Sequence, residues 1–377
     1  MECPREVHQC PACGHLTDRV HDYRIQKIKH LKLFERRTEV FYRKRRYVCP
    51  ACGKRFYEKN NLVDKYQRHT KEWNQAIRLR AIQGKTFKET AQLYHTSTNT
   101  VMRRFDQIGD SEIKEVEELP EIIAIDEYKG DTDEGKYQLI IANGMTREPI
   151  DILPNRSKKT VTNYLKSKGA NVQVVIMDMS YPFKAAVRKA LGNPVIIADR
   201  FHFSRYIYWA LERVRIQEQS KFSDYDRKKC KRMRHVFYKH REDLTDNQKW
   251  YLERYLNLSD RLRVAYQLKE LYCDWFKLAK AKGKTDMRTV KEALKEYYKH
   301  VYSTDLLEFH KAIETFQNWQ TEILNSFAYD YNNGFLEGIN NLTKVMKRNA
   351  FGFRSYKRFR RRILLHHKFK YIGYQIG

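Results

Sequence analysis

With 377 residues, 41% of them apolar, the chain can hold one large domain plus smaller modules and bury a substantial core. Its 74 Lys and Arg against 46 Asp and Glu leave a net charge of +28, which points to a polyanionic partner, either nucleic acid or an acidic membrane face. No uninterrupted apolar run approaches the ~20 residues of a membrane span, and the opening MECPREVHQC lacks the apolar core of a signal peptide. A cytoplasmic chain without membrane association is expected, its seven cysteines reduced or metal-bound rather than in disulfides.

Four of those cysteines form two identical knuckles, Cys10-Pro11-Ala12-Cys13-Gly14 and Cys49-Pro50-Ala51-Cys52-Gly53. Each Cys-x-x-Cys turn brings two thiolates to one ion, and two such turns complete a tetrahedral zinc site. The stretch 38–48 reads as a strand feeding the second knuckle, so residues 1–65 are expected to form a zinc ribbon holding one structural Zn²⁺. A redox pair or mere packing cysteines would be the alternative, and the duplication weighs against both. Cys3, Cys230 and Cys273 lack partners at ligand spacing.

Between 71 and 108 the apolar spacing turns helical. Trp73, Ile77 and Ala81 open one helix that Gly84 ends, Thr86 caps a second, and the turn His95-Thr96-Ser97 precedes a third at 99–108. With small Ala91 at the crossing and Val101 and Phe105 turned inward, residues 66–110 read as a helix-turn-helix. Ser97, Thr98, Asn99, Arg103 and Arg104 would then face the major groove. A purely structural helical hairpin shares this pattern, and the flanking zinc module and basic residues favour DNA.

An acidic stretch at 111–119 reads as a solvated linker. Residues 120–200 then carry three strand-like runs (121–127, 136–143 and 148–153) joined by turns at Gly130-Asp131 and Asn143-Gly144. A helix at 157–168, a buried strand at 172–178, a helix at 181–191 and a strand at 195–199 follow. This is the order of an RNase H-like mixed sheet flanked by helices, in which the first and fourth strands are neighbours. Residues 201–330 lose all strand character and read as an inserted all-α subdomain. Residues 331–377 return as a final core helix and a basic C-terminal segment.

Asp126 ends one apolar run, Asp178 ends another, and Glu337 opens a polar helix on which Glu337, Asn340, Asn341, Lys344 and Arg348 share a face. Carboxylates gathered at strand ends cage hard divalent cations, and in so basic a chain they suggest metal-assisted cutting or joining of nucleic acid. Glu127 rivals Asp126 for the first position, and Asp199 rivals Asp178 for the second, although Asp199 fits better as the cap of the next helix or as the group orienting His202. Beyond Glu337 no acidic residue remains, while Lys347, Arg348, Arg354, Lys357, Arg358, Arg360, Arg361 and Arg362 interleave with Phe351, Phe353, Tyr356 and Phe359. Such a helix would pack on one side and meet phosphates with the other.

The ribbon, the helix-turn-helix, Ile125-Asp126-Glu127, Met177-Asp178-Met179, Asp199-Arg200-Phe201-His202 and Glu337-Gly338-Ile339-Asn340 occur in this order over nearly the whole chain. In this the chain resembles the IS-L-three family of bacterial insertion-sequence transposases. The resemblance implies Asp126, Asp178 and Glu337 as a DDE triad holding two Mg²⁺ or Mn²⁺ ions, with Asp199, His202, Asn340 and Lys344 in support. It further implies binding to the terminal inverted repeats and to target DNA as a homodimer or higher oligomer, in a nucleoid-associated cytoplasmic protein. A non-catalytic zinc-dependent DNA-binding regulator derived from a transposase, or an RNase H-like structure-specific nuclease, would share many of these features.

Overall fold

The computed structural model describes residues 1–376, with side chains through Phe369. They divide into two units, one of 1–115 with 131–133 and the described residues from Thr343 onward, the other of 116–130 and 134–342.

In the first unit, β1 (His8–Gln9) and β2 (Leu16–Thr17) pair antiparallel around the first knuckle. Then β3 (Val20–Lys29), β4 (Glu39–Val48) and β5 (Arg55–Tyr57) form an antiparallel sheet with β4 central. Tyr42 is buried between exposed Phe41 and Arg43, the period of two that gives a strand one inner face. The buried Glu58 is compensated: its carboxylate accepts from the Tyr42 hydroxyl at 2.5 Å and from the Arg45 amide at 3.0 Å, and pairs with the Arg45 guanidinium at 3.3 Å. Three helices follow, α1 (Lys71–Gln83), α2 (Phe87–Leu93) and α3 (Thr98–Glu112), whose N-caps Thr70, Thr86 and Ser97 each accept an amide of the first turn. Trp73, Ile77, Ala81, Val101, Phe105 and Ile108 bury one face of this helical set.

In the second unit the expected strands and helices appear as β6 (Ile122–Thr132), β7 (Gly135–Asn143), β8 (Pro149–Leu153), α4 (Lys158–Lys168), β9 (Val174–Met177), α5 (Tyr181–Leu191) and β10 (Val195–Ala198). They make a mixed sheet of order β10-β9-β6-β7-β8, parallel from β6 through β9 to β10 and antiparallel at β7–β8. The first strand therefore lies beside the fourth, with Ile125 opposite Met177. β6 runs past the turn expected at Gly130-Asp131. Asp131 adopts a positive φ of 50° within the strand, so those residues mark an irregularity and not the reversal.

The stretch 111–119 has no regular structure beyond Glu112 and contains the boundary between the two units, yet it is anchored at both ends. α3 continues through Glu112, and Leu119 is buried, its amide donating to the Lys168 carbonyl at 2.8 Å while Val116 packs against the same core. Its acidic residues sit between apolar anchors, which the local charge disguises.

From Arg200 to Ala328 the second unit is helical: α6 (Arg200–Gln219), α7 (Asp224–Arg232), α8 (His235–Tyr238), α9 (Asp246–Leu258), α10 (Asp260–Lys282), α11 (Met287–Tyr302), α12 (Leu307–Asn318) and α13 (Gln320–Ala328). These helices do not close a core of their own. Phe203 of α6 meets Phe316 and Phe327, and one continuous apolar cluster runs from Val161 and Val175 beside the sheet to Trp319. Asn325 also donates to the Ile196 carbonyl of β10 at 2.9 Å.

The last two helices are α14 (Gly334–Asn349) and α15 (Tyr356–Ile376). The basic C-terminal segment groups with the N-terminal modules. Leu365 is buried in the cluster of Trp73, Ile77 and Phe105. Arg358 pairs with Asp106 at 2.8 Å, Arg361 pairs with Asp106 at 3.3 Å and with Asp110, and Arg362 donates to the carbonyls of Ala81 and Gly84 at the end of α1. Arg362 also stands over the rings of Phe87 and Phe105, at 5.7 and 5.9 Å. α15 is thus a fourth helix of the trihelical module, its arginines capping and neutralising α1 and α3.

Candidate metal centres and nucleic-acid interface

The two knuckles fold alike. Cys10 N–H donates to the His15 carbonyl and Cys49 N–H to that of Lys54, while Gly14 and Gly53 return amides to the Cys10 and Cys49 carbonyls, all at 2.9–3.0 Å. Both glycines sit at positive φ, 75° and 68°, where a Cβ would be strained. The sulfurs of Cys10 and Cys52 lie 3.6 Å apart and those of Cys13 and Cys49 3.5 Å apart, and all four lie within 4.8 Å of one another. A tetrahedral ion with Zn–S bonds of ~2.3 Å would separate its sulfurs by about 3.8 Å, so the four thiols fit zinc. Amides of Ala12 and Cys13 aimed at the Cys10 sulfur outweigh its burial and draw that thiol down to about 6, whereas against the His15 amide the Cys52 and Cys49 sulfurs push Cys13 up to about 12, so full ionisation of the four requires a cation among them.

The second cluster lies where the parallel pairing of the strands ends, with Asp126 inside β6 and Asp178 and Asp199 just past β9 and β10. Asp126 follows Ile125 of β6 and Asp178 follows Met177 of β9, so the register sets the two acids on adjacent strands. Asp199 closes β10, its amide bonded to the Met177 carbonyl at 3.0 Å and its carboxylate capping α6 at the Phe201 amide. One turn into α6, His202 bridges two acids, Nδ1 at 2.8 Å from Asp199 and Nε2 at 2.9 Å from Asp178. Asp178, Asp199 and His202 place ligand atoms within 4.8 Å of one another. Each ring nitrogen thus faces a carboxylate. Burial pulls His202 down, and the two hydrogen-bonded carboxylates overcome it and hold the imidazolium up to about 9.

Asp126 is the most perturbed acid. Burial, then the charge of Asp178, push its carboxyl up to about 7 against the hydrogen bond from the Glu127 amide. Its other oxygen accepts the Asn340 side-chain amide at 2.6 Å. Glu127 turns away to pair with Arg156. Asp178 Oδ1 and Asn340 Oδ1 are buried acceptors without a hydrogen-bond donor among the described residues, which suits an adjacent cation. Glu337, one helical turn before Asn340, is exposed, lies like Asp126 outside the 4.8 Å group of Asp178, Asp199 and His202, and its side chain has no hydrogen-bond or ion-pair partner among the described residues.

On α3, Asn99 and Arg103 are exposed, whereas Thr98 is half-buried. Ser97 spends its hydroxyl on the Thr100 amide as N-cap, and Arg104 is tied to Gln67 at 2.9 Å and Gln107 at 3.1 Å. Lys344, Arg348, Arg354 and Lys357 are exposed, Lys347 pairs with Asp131 at 2.9 Å, and Arg360 is half-buried. Arg358, Arg361 and Arg362, expected to meet phosphates, are engaged within the module because Asp106, Asp110 and the end of α1 need those charges. The spacing Asp106/Asp110 against Arg358/Arg361 on two helices is the signal that could have revealed this.

A closed four-thiol group, a trihelical module and an acidic group on a mixed sheet suit a protein that handles nucleic acid. Comparison with known families identifies it further. A family described as transposase, of ISL3 type, matches residues 123–363. The zinc-finger of transposase IS204/IS1001/IS1096/IS1165 matches 6–52, which includes all four clustered cysteines, and the helix-turn-helix domain of transposase family ISL3 matches 58–109. The chain belongs to the ISL3 family of transposases. The transposase for insertion sequence element IS1001 of Bordetella parapertussis is 24% identical over 378 residues, 94% of this chain and 87% of that protein. A Lactococcus lactis protein named ATP-dependent protease is 34% identical over 119 residues, 31% of this chain and 34% of its own length. No helix among the described residues is long and apolar enough to cross a membrane.

Proposed function

We propose that this transposase binds the terminal inverted repeats of its insertion sequence and catalyses strand cleavage and strand transfer at the acidic cluster of an RNase H-like core. The observation that carries the reading is the pairing of Asp126 and Asp178 on adjacent parallel strands beside two buried, undonated oxygens. The sheet order, with the first strand next to the fourth, supports the core assignment. Asn99 and Arg103 are the base readers in this account, and Arg348, Arg354 and Lys357 hold phosphates.

Asp126, Asp178 and Glu337 would hold Mg²⁺ or Mn²⁺, which supplies activation of the attacking hydroxyl and stabilises charge at phosphorus. The Asn340 amide orients Asp126 by taking one oxygen. Asp199 fixes His202 from the cap of α6, and His202 in turn holds Asp178 through Nε2. Asp199 and His202 are thus positioning residues, whose loss should shift the pH profile and be milder than loss of an acid.

The exposure of Glu337, whose side chain has no polar partner among the described residues, favours a second reading, a non-catalytic zinc-dependent DNA-binding regulator. Incubation of a labelled element end with Mg²⁺ separates the two. Transposition chemistry predicts cleavage by the unmodified protein and a loss of about 10³-fold or more on Asp126→Ala, Asp178→Ala or Glu337→Ala, with repeat binding retained. Specific binding without cleavage would establish the regulator.

A further inference from the structure

α6 leaves the acidic cluster carrying an alternation of rings and cations at every fourth position: Phe201, Arg205, Trp209 and Arg213. Residues four apart share a helix face, so these side chains make one stripe. The stripe begins beside the cluster, since Phe201 directly precedes His202, the two rings 5.7 Å apart and perpendicular. Large rings on this face are left to solvent: Phe201 is 65% exposed and Trp209 43%. Between them the Arg205 guanidinium lies over both, 5.8 Å from the Phe201 ring centre and 4.4 Å from that of Trp209. Arg205 pairs with no carboxylate among the described residues, and its Nε is buried without an acceptor. Tyr206 braces Trp209 edge-on at 5.7 Å.

A face that exposes two rings with a guanidinium unneutralised between them is complementary to a flat anionic ligand. Unpaired nucleotides have both properties, a π-face for each ring and a phosphate for each cation, and such surfaces bind single strands with little regard to sequence. We propose that the Phe201–Arg205–Trp209 stripe is a stacking platform for unpaired bases of the strand whose phosphate occupies the acidic cluster. This rests on the reading of that cluster as the strand-cleavage site, and it adds that the DNA end is opened there, with the displaced bases laid along α6.

The test uses the full zinc-loaded chain without Mg²⁺ or Mn²⁺, so that cleavage is not required. Affinity is measured for oligothymidylate of about ten nucleotides and for an abasic oligomer of the same length. The phosphates are identical, so the ratio of the two affinities isolates stacking from the general attraction of a +28 chain. The unmodified protein should prefer bases by roughly tenfold or more. Phe201→Ala with Trp209→Ala should bring the ratio close to one and leave the abasic affinity unchanged, whereas Phe201→Tyr with Trp209→Phe should restore the preference. An unchanged ratio in a double alanine variant that melts normally overturns the proposal. So does an unchanged ratio accompanied by a shifted sedimentation coefficient, which would make the stripe a subunit interface. A protein that cleaves no element end yet shows the ring-dependent preference would refute the proposed cleavage activity and leave the platform standing.

Discussion

The two candidate metal centres solve opposite problems. At the thiols every ligand is present and matched, four sulfurs at the spacing of one tetrahedral ion on two turns of the same geometry, and no oxygen or imidazole competes. At the carboxylates the arrangement is incomplete and charged. Asp126 is pushed toward protonation, His202 is held cationic between two acids, Asp178 keeps a buried oxygen without a donor, and Glu337 is exposed. A closed site stabilises a fold, and an open one keeps positions for a reacting group. The difference in ligand closure therefore predicts a difference in what removing each centre destroys.

Stripping the thiol site should have the largest effect on folding. Binding of a structural zinc is coupled to folding by on the order of 10 kcal/mol, so a chelator or Cys49→Ser should melt β3–β5 and abolish end-specific binding, with the second unit still folded. Metal analysis should return about one zinc per chain, and protein purified without zinc yet showing a folded ribbon would break the comparison.

Arg362→Ala comes next. It strips the carbonyls of Ala81 and Gly84 of their donor and should cost the first unit about 2–4 kcal/mol, read by denaturant melting. Arg103→Ala, exposed on α3, should stay within ~0.5 kcal/mol while weakening repeat binding. Equal stability losses would mean that α15 is not part of the module.

Asp178→Asn should change melting by no more than about 1 kcal/mol, since it relieves repulsion on Asp126 while loosening His202. A collapse comparable to that of Cys49→Ser would show the acidic cluster to be structural.

Acid should also weaken the first unit. Burial draws His69, stacked on Trp73 at 4.0 Å, and His367 down to about 4. An unfolded histidine takes up its proton near 6.5. Between these values the unfolded chain binds more protons, so stability is complete above about pH 6.5 and declines as pH falls toward 4. Melting with zinc in excess should show this slope, and His69→Phe should flatten it.

Much of this was legible in the chain. The knuckles announce themselves because ligand spacing is local, and the strand and helix order of the sheet is visible because each element carries its own period and cap, Ser157 and Thr86 among them. Asp126 beside Asp178 followed from strand order. What stayed hidden depends on distant partners. The C-terminal arginines read as a phosphate-binding surface because nothing after Glu337 is acidic. Their partners Asp106 and Asp110 lie some 250 residues earlier. The acidic stretch before Pro120 concealed Leu119 in the same way, local charge masking a buried anchor. Ser97 and Arg104 were assigned to the groove from their position alone, and the structure gives both to local hydrogen bonds.

The central claim is that the acids hold the reactive cation, and a change of ligand chemistry tests it most directly. A thiolate binds Mg²⁺ poorly and Mn²⁺ well. Element-end cleavage should therefore vanish with Mg²⁺ in Asp126→Cys and Asp178→Cys and return in part with Mn²⁺, while unmodified protein works with either ion. Equal activity of the cysteine variants in Mg²⁺, or loss in both ions from well-folded protein that still binds repeats, would contradict direct metal ligation by these residues.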